Sequence, residues 1–234
     1  MTTPAIFVNA TKVELIDSMG SDLSVVNAAR VSFAKSNNEF VPTKDGKLLK
    51  YLAKHGHWSP FAHTSITVRC SVPIFLARQL VKHQVGLTLN EESRRYIDTP
   101  VKFYMPPHLH YRPTNSKQGR GDMHDDIAHL YKVMKESTEE AYKSYNLCLQ
   151  LGVAPEEARM VLPLNSMTNF YWTGSLMAFA RVVQQRSTTH AQLIANEFAE
   201  QLADVLREVY PESFKALLEA NVEESNVFPV FDTK

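Results

Sequence analysis

The sequence is short of cysteine, has few glycines and carries no excess of charge, and each shortage closes off some chemistry. Only Cys70 and Cys148 occur in 234 residues. Their spacing matches neither a metal site nor a redox motif, which fits a reducing cytoplasm. The 8 glycines build neither a Rossmann nor a P-loop fingerprint, so a cofactor held by those folds is excluded. Lys plus Arg number 25 and Asp plus Glu number 25, so no global field favours DNA, RNA or an anionic membrane. Any anion site must be a local concentration of charge. No apolar run approaches the roughly 20 residues that cross a bilayer. The opening "MTTPAIFVNATKVELID" lacks a basic segment followed by an apolar run, so no secretory signal is expected. A cytoplasmic protein with no nucleic-acid or membrane partner is the expectation.

What is present is a globular composition, 44% hydrophobic and 21% charged, on a chain whose length suits one domain over 1–234. "KVELIDSM" reads as a strand. "SDLSVVNAARVSF" reads as a helix capped by Ser21 or Asp22, and "TKDGKLLKYLAKHGH" as a second helix closed by Gly56. In "AHTSITVRCSV" Ile66, Val68, Cys70 and Val72 alternate with polar residues, predicting a half-buried strand. A helix is predicted over "PIFLARQLVKH", with Pro73 in its first turn and Arg78 and Lys82 on one face. "YIDTPVKFYMP" looks extended, and "TNSKQGRGDM" is the most loop-like, mobile segment. Apolar positions from Ile127 to Cys148 step by three or four, predicting one long helix. Helices follow through "APEEARMV", "GSLMAFARVVQQR", "THAQLIANEFAEQLADVLREVY" and "PESFKALLEAN", before a weakly structured tail from about 222 to 234. The fold expected is α+β: a small mixed or antiparallel sheet with a helix-rich second half.

The densest polar stretch is "KHQVGLTLNEESRRY", Lys82 to Tyr96. Arginine offers a planar fork of donors that matches a phosphate, and serine adds a hydroxyl. Ser93, Arg94 and Arg95 therefore read either as a phosphate grip or as a solvated, self-paired surface. His83 reads as ligand, base or helix cap. In "QQRSTTHAQ" Arg186 lies at a helix junction, where polar groups also serve as caps. His55 with His57 and His108 with His110 lack partners at a metal-binding spacing, so no metal is assigned. Cys70 and Cys148 fall on apolar faces, where thiols are usually inert.

Taken together and in order, "ELIDSMGSDLSVVNAARVSF", "KYLAKHGHWSPFAH", "VPIFLARQLVKH", "NEESRRY", "ARMVLPLNSMTNFYWT" and "QQRSTTHAQ" resemble the flavin-dependent thymidylate synthases over roughly residues 10 to 215. The resemblance implies reductive methylation of dUMP to dTMP. Methylenetetrahydrofolate supplies the carbon, FAD carries the hydride and NADPH reduces the flavin. It implies a homotetramer with subunits sharing each site, and no cysteine nucleophile. Carried over by position, Arg186 polarises the uracil ring as the catalytic residue. Gln79, Lys82, Glu91, Ser93, Arg94, Arg95 and Arg159 join it on dUMP, with Ser93, Arg94 and Arg95 around the phosphate. Ser59, Lys82, His83, Gln84, Glu91, Arg181 and His190 fall at FAD-binding positions.

The chain departs from the family pattern of Arg-His-Arg, seven residues and serine. Here Lys82, His83 and Gln84 are followed by eight residues before Ser93. Lysine keeps the charge without the fork, and glutamine loses it; Arg78 or Arg181 is a candidate replacement. Two alternatives therefore stand beside the synthase. One is a diverged enzyme that hydroxymethylates or takes another pyrimidine nucleotide; the other is a non-catalytic nucleotide-binding protein.

Overall fold

The computed structural model describes residues 4–114, 119–188 and 191–224, with side chains described up to residue 220. The elements are β1 (Ile6–Val8), β2 (Lys12–Met19), α1 (Asp22–Arg30), α2 (Pro42–Lys54), β3 (Ser65–Pro73), α3 (Ile74–Leu80), β4 (Leu87–Glu91), β5 (Lys102–Tyr104), α4 (Ile127–Gln150), α5 (Pro155–Ala158), β6 (Met167–Gly174), α6 (Leu176–Arg186), α7 (Leu193–Val209) and α8 (Pro211–Glu224). A four-stranded sheet has the order β2-β3-β6-β4, and β1 pairs with β5 in parallel, Phe7 opposite Phe103. The architecture is the expected α+β one. The chain divides into two compact units: Met1–Thr11 with Ser71–Gln79 and Asn90–Phe170, and Lys12–Cys70 with Leu80–Leu89 and Tyr171–Lys234. The boundaries fall between β1 and β2 and within β3, α3, β4 and β6.

In the second unit the apolar alternation of β3 is realised, with Ile66, Val68 and Cys70 all at 0% exposure. Trp172 of β6 is buried and meets Phe179 of α6 edge-on, ring centres 5.3 Å apart. Phe198, Leu202 and Leu206 of α7 fill the same core at helical spacing. Polar groups fix the ends of the elements. Asp22 of α1 accepts from the amides of Glu212 and Ser213 at 3.0 and 2.8 Å, satisfying donors that the start of α8 leaves open. The Tyr210 hydroxyl is shared between the carbonyls of Met19 and Ser65 at 2.8 and 3.0 Å, joining the end of β2 to the start of β3.

In the first unit Val101, Phe103, Tyr142, Tyr145 and Ala158 form a core, with Cys148 packed against it. Phe103 meets Tyr142 edge-on at 5.3 Å. The long helix is present as α4, capped by Asp126, whose carboxylate accepts from His129 N at 3.3 Å.

The structure corrects two expectations of shape. Pro73 closes β3 instead of opening the helix, and α3 stops at Leu80, with His83 N bonded to Leu80 O at 3.0 Å in a turn. Lys82 therefore does not share a helical face with Arg78. The chain must reverse into β4 there, and Gly86, at φ +74°, makes the reversal. The second correction is strand content, since β1, β4 and β6 were not anticipated. The loop expected around "TNSKQGRGDM" lies partly outside the described residues, at 115–118. The expected tail lies outside them from 225 onward, while 222–224 complete α8.

Candidate active site

The first unit holds a cavity of about 400 Å³. Arg78, Arg94 and Arg159 supply cations, Glu91 and Glu92 supply carboxylates, and Met160, Leu162 and Leu164 are among its apolar lining residues. Strand pairing explains the charge pattern. Glu91 ends β4 opposite β6 and accepts from the Thr168 hydroxyl at 2.6 Å; Glu92 accepts from Asn169 Nδ2 at 2.9 Å. Both acids thus have partners on β6, while the arginines sit on other elements. Ser93 follows the strand at a point where donors converge. Its Oγ accepts from Arg95 N at 3.3 Å and from an Arg159 Nη1 at 3.4 Å. Arg94 donates to the Thr99 carbonyl. Arg95 Nε pairs with Glu156 at 3.1 Å, and its guanidinium lies 5.3 Å from the Tyr96 ring centre. A hydroxyl with one guanidinium and one backbone amide on it, flanked in sequence by two further arginines, supplies donors of the kind a phosphate dianion takes.

Of the residues expected on the nucleotide, Glu91, Ser93, Arg94, Arg95 and Arg159 are brought together here. Gln79 lies in the same unit, half-buried on α3. Arg78, named in the sequence only as a possible replacement, lines the cavity. Glu156 was missed as a partner: in the sequence it reads as an acid at a helix start, and nothing local links it to Arg95. Thr168 and Asn169 were missed because β6 was.

Lys82 and Arg186 lie in the second unit. There the Arg186 Nε donates to His83 Nε2 at 3.0 Å. An accepting Nε2 places the neutral ring's proton on Nδ1. Burial lowers the His83 pKa below its ordinary 6.5, and the Arg186 charge lowers it further, so the neutral acceptor is the favoured state. Burial also lowers the Arg186 pKa from its very high ordinary value, leaving the group a cation at neutral pH. A half-buried cation whose Nε partner is a neutral imidazole has no charge cancelled by that partner. It can stabilise negative charge developing on a bound ring.

The loop that carries His83 is set by two close approaches. A Cβ on Gly174 would come within 2.6 Å of the Gly86 carbonyl, and one on Gly86 within 3.3 Å of the Ala178 Cβ. Ser59, Lys82, Gln84 and Arg181 are exposed in the same unit. Their hydroxyl, ammonium, amide and guanidinium are each hydrogen-bond donors of the kind an anionic diphosphate accepts from. His190 lies outside the described residues. Cys70 is fully buried, and burial drives its thiol pKa far above the ordinary value, so it is held as an inert thiol. Among the described residues no helix is long and apolar enough to cross a membrane.

Comparison with known proteins places the chain in a family. The family model of the thymidylate synthase complementing protein matches residues 14–212. A flavin-dependent thymidylate synthase of Thermosipho africanus is 37% identical over 206 residues, covering 87% of this chain and 89% of the relative. One from Thermus thermophilus is 35% identical, covering 88% of this chain and 75% of that one. Among solved structures, PolB of Streptomyces cacaoi, a UMP/dUMP methylase bound with 5-Br dUMP, superposes with a TM-score of 0.81. It is 30% identical and covers 90% of this chain and 96% of its own. The same enzyme bound with 5-Br UMP gives 0.82 at 29% identity, covering 96% and 99%. Fold and site together define an enzyme of the methyltransferase class. Within that class, the chain belongs to the flavin-dependent thymidylate synthase family.

Proposed function

We propose that the protein catalyses the reductive methylation of dUMP to dTMP. Methylenetetrahydrofolate is the carbon donor, and FAD reduced by NADPH carries the hydride. The observation that carries this reading is the pairing of Arg186 with a neutral His83 at 3.0 Å. It presents a cation suited to a pyrimidine that becomes anionic during reaction. Ser93, Arg94, Arg95 and Arg159 grip the phosphate, with Gln79, Lys82 and Glu91 completing the nucleotide contacts. Ser59, Lys82, His83, Gln84, Glu91, Arg181 and His190 hold FAD, whose reduced ring, when bound, supplies the hydride. Lys82 and Arg181 meet its diphosphate with positive charge, and Gln84 donates without one. The protein works in the cytoplasm as a homotetramer. In support, β2 is an edge strand exposing Leu15, Ile16 and Met19, the kind of apolar edge that self-association covers.

A second reading concerns the sugar. The PolB structures hold both a ribo- and a deoxyribonucleotide analogue, so UMP is the rival substrate. The test is a visible spectrum of the purified protein, its bleaching by NADPH, and the product mass from dUMP and UMP separately. A flavin spectrum is expected, with dUMP gaining the mass of one CH2 as a methyl group replaces a ring hydrogen. A protein that binds no FAD sinks the proposal, and methylation of UMP alone replaces it by the second reading.

A further inference from the structure

At the junction between α6 and α7 two backbone carbonyls converge on one side chain; that of Thr188 also accepts from Ala191 N at 3.0 Å. Asn196, in the first turn of α7, donates from Nδ2 to the Arg186 carbonyl at 2.6 Å and to the Thr188 carbonyl at 3.1 Å. Its neighbours Ile194 and Ala195 are 6% and 0% exposed, so the backbone that carries the amide is anchored in the core. Arg186 is thereby held at both ends. Its carbonyl is bound by α7, and its guanidinium Nε is bound by His83 in the loop after α3.

We propose that Asn196 is a positioning residue for the methyl transfer, fixing the backbone from which Arg186 reaches the pyrimidine. The inference rests on the role given to Arg186 above. An amide nitrogen suits the task because it carries two protons, one for each carbonyl. A hydroxyl or thiol offers one, and a carboxylate offers none and repels both carbonyls. The clamp touches no reacting atom. It acts through the placement of Arg186, where a shift of about 1 Å is enough to cost roughly 100-fold in rate.

The experiment compares Asn196→Ala with the unaltered full-length protein loaded with FAD, and reads two quantities. With saturating nucleotide, kcat is expected to fall about 10- to 100-fold while nucleotide Kd moves less than about twofold, since the phosphate grip is untouched. In NMR titration His83 should move up toward the ordinary histidine range, because a displaced Arg186 no longer donates to Nε2. A structural role alone predicts neither change in the folded variant. Asn196→Gln, which keeps both donors on a longer arm, should recover part of each. If Asn196→Ala does not fold, Asn196→Leu, close to asparagine in shape but without donors, takes its place. A folded variant with normal kcat, or with an unmoved His83 titration, overturns the proposal. Should the unaltered protein prove unable to methylate any nucleotide, the functional reading fails. The His83 titration still judges the clamp.

Discussion

Burial and the contact with Arg186 together set the state of His83. Burial is the larger cause of the lowered His83 pKa and the Arg186 charge the smaller. Replacing Arg186 by alanine should therefore raise it only part of the way to 6.5, as read by NMR titration. A histidine that stays neutral when folded favours the folded state above its ordinary value near 6.5, and that contribution is lost as pH falls through it toward the lowered folded value. In turnover Arg186→Ala should depress kcat even at saturating nucleotide, and Arg186→Lys should restore little, because an ammonium cannot reproduce the planar pair of donors. Arg95 differs: it is 47% exposed and already paired with Glu156. Arg95→Ala should weaken nucleotide binding by about 1.5–3 kcal/mol for a lost charged hydrogen bond, with kcat nearly intact. Normal kcat for Arg186→Ala once saturated would reduce that residue to another anchor. At Cys70, alanine should lower Tm yet leave the chemical step unchanged in the folded protein, since a fully buried thiol held protonated is no nucleophile. A folded Cys70→Ala, Cys148→Ala protein without turnover would refute this.

Among the elements, β3 was legible because Ile66, Val68, Cys70 and Val72 alternate cleanly with polar neighbours, and one face is buried against a core. The strands β4 and β6 were hidden for a physical reason. Their facing ends carry Glu91 with Thr168 and Glu92 beside Asn169, polar pairs that satisfy each other across strands, so hydrophobic period does not report them. Yet Phe170 and Trp172, 2% and 1% exposed, do alternate with Asn169, Tyr171 and Thr173, and aromatic residues favour strands; that signal was there to be read. The cation cluster at Ser93, Arg94 and Arg95 showed as a local run. Arg159 was reached only through the family resemblance, and the restraint by Glu156 came from the fold alone. The crossing of β6 over the Gly86 turn gives the sharpest test at this scale. A Cβ on Gly174 would lie 2.4 Å from Leu87 Cδ2 and 2.6 Å from the Gly86 carbonyl. The side chain can swing away and the backbone oxygen cannot. Gly174→Ala should destabilise by about 1–3 kcal/mol, as overpacking does. The change should also loosen the loop of Lys82, His83 and Gln84, so FAD retention should fall with it. Urea unfolding and flavin absorbance measure the two. Unchanged values in both would show that the approach is relaxed in solution.

For the whole molecule the question is which chain supplies which residue. Ser93, Arg94, Arg95 and Arg159, proposed to grip the phosphate, belong to one compact unit, and Arg186 with His83 to the other. The family resemblance implies subunits that share each site, and Leu15, Ile16 and Met19 on the exposed edge of β2 offer an apolar surface for assembly. Light scattering at working concentration should give the mass of a tetramer; a monomer would end the idea. Complementation then decides the sharing. Let one preparation carry Arg95→Ala and the other Arg186→Ala, each nearly inactive at limiting nucleotide, and let them be mixed and allowed to exchange subunits. If both residues of a site come from one subunit, every hybrid site keeps a lesion, and the mixture is no more active than its parts. If a site draws Arg95 from one subunit and Arg186 from another, some hybrid sites hold both lesions and others hold neither. The intact ones work at the normal rate, so activity should rise with exchange time toward a plateau. A flat time course in a mixture shown by mass to contain hybrids would assign both residues to a single chain.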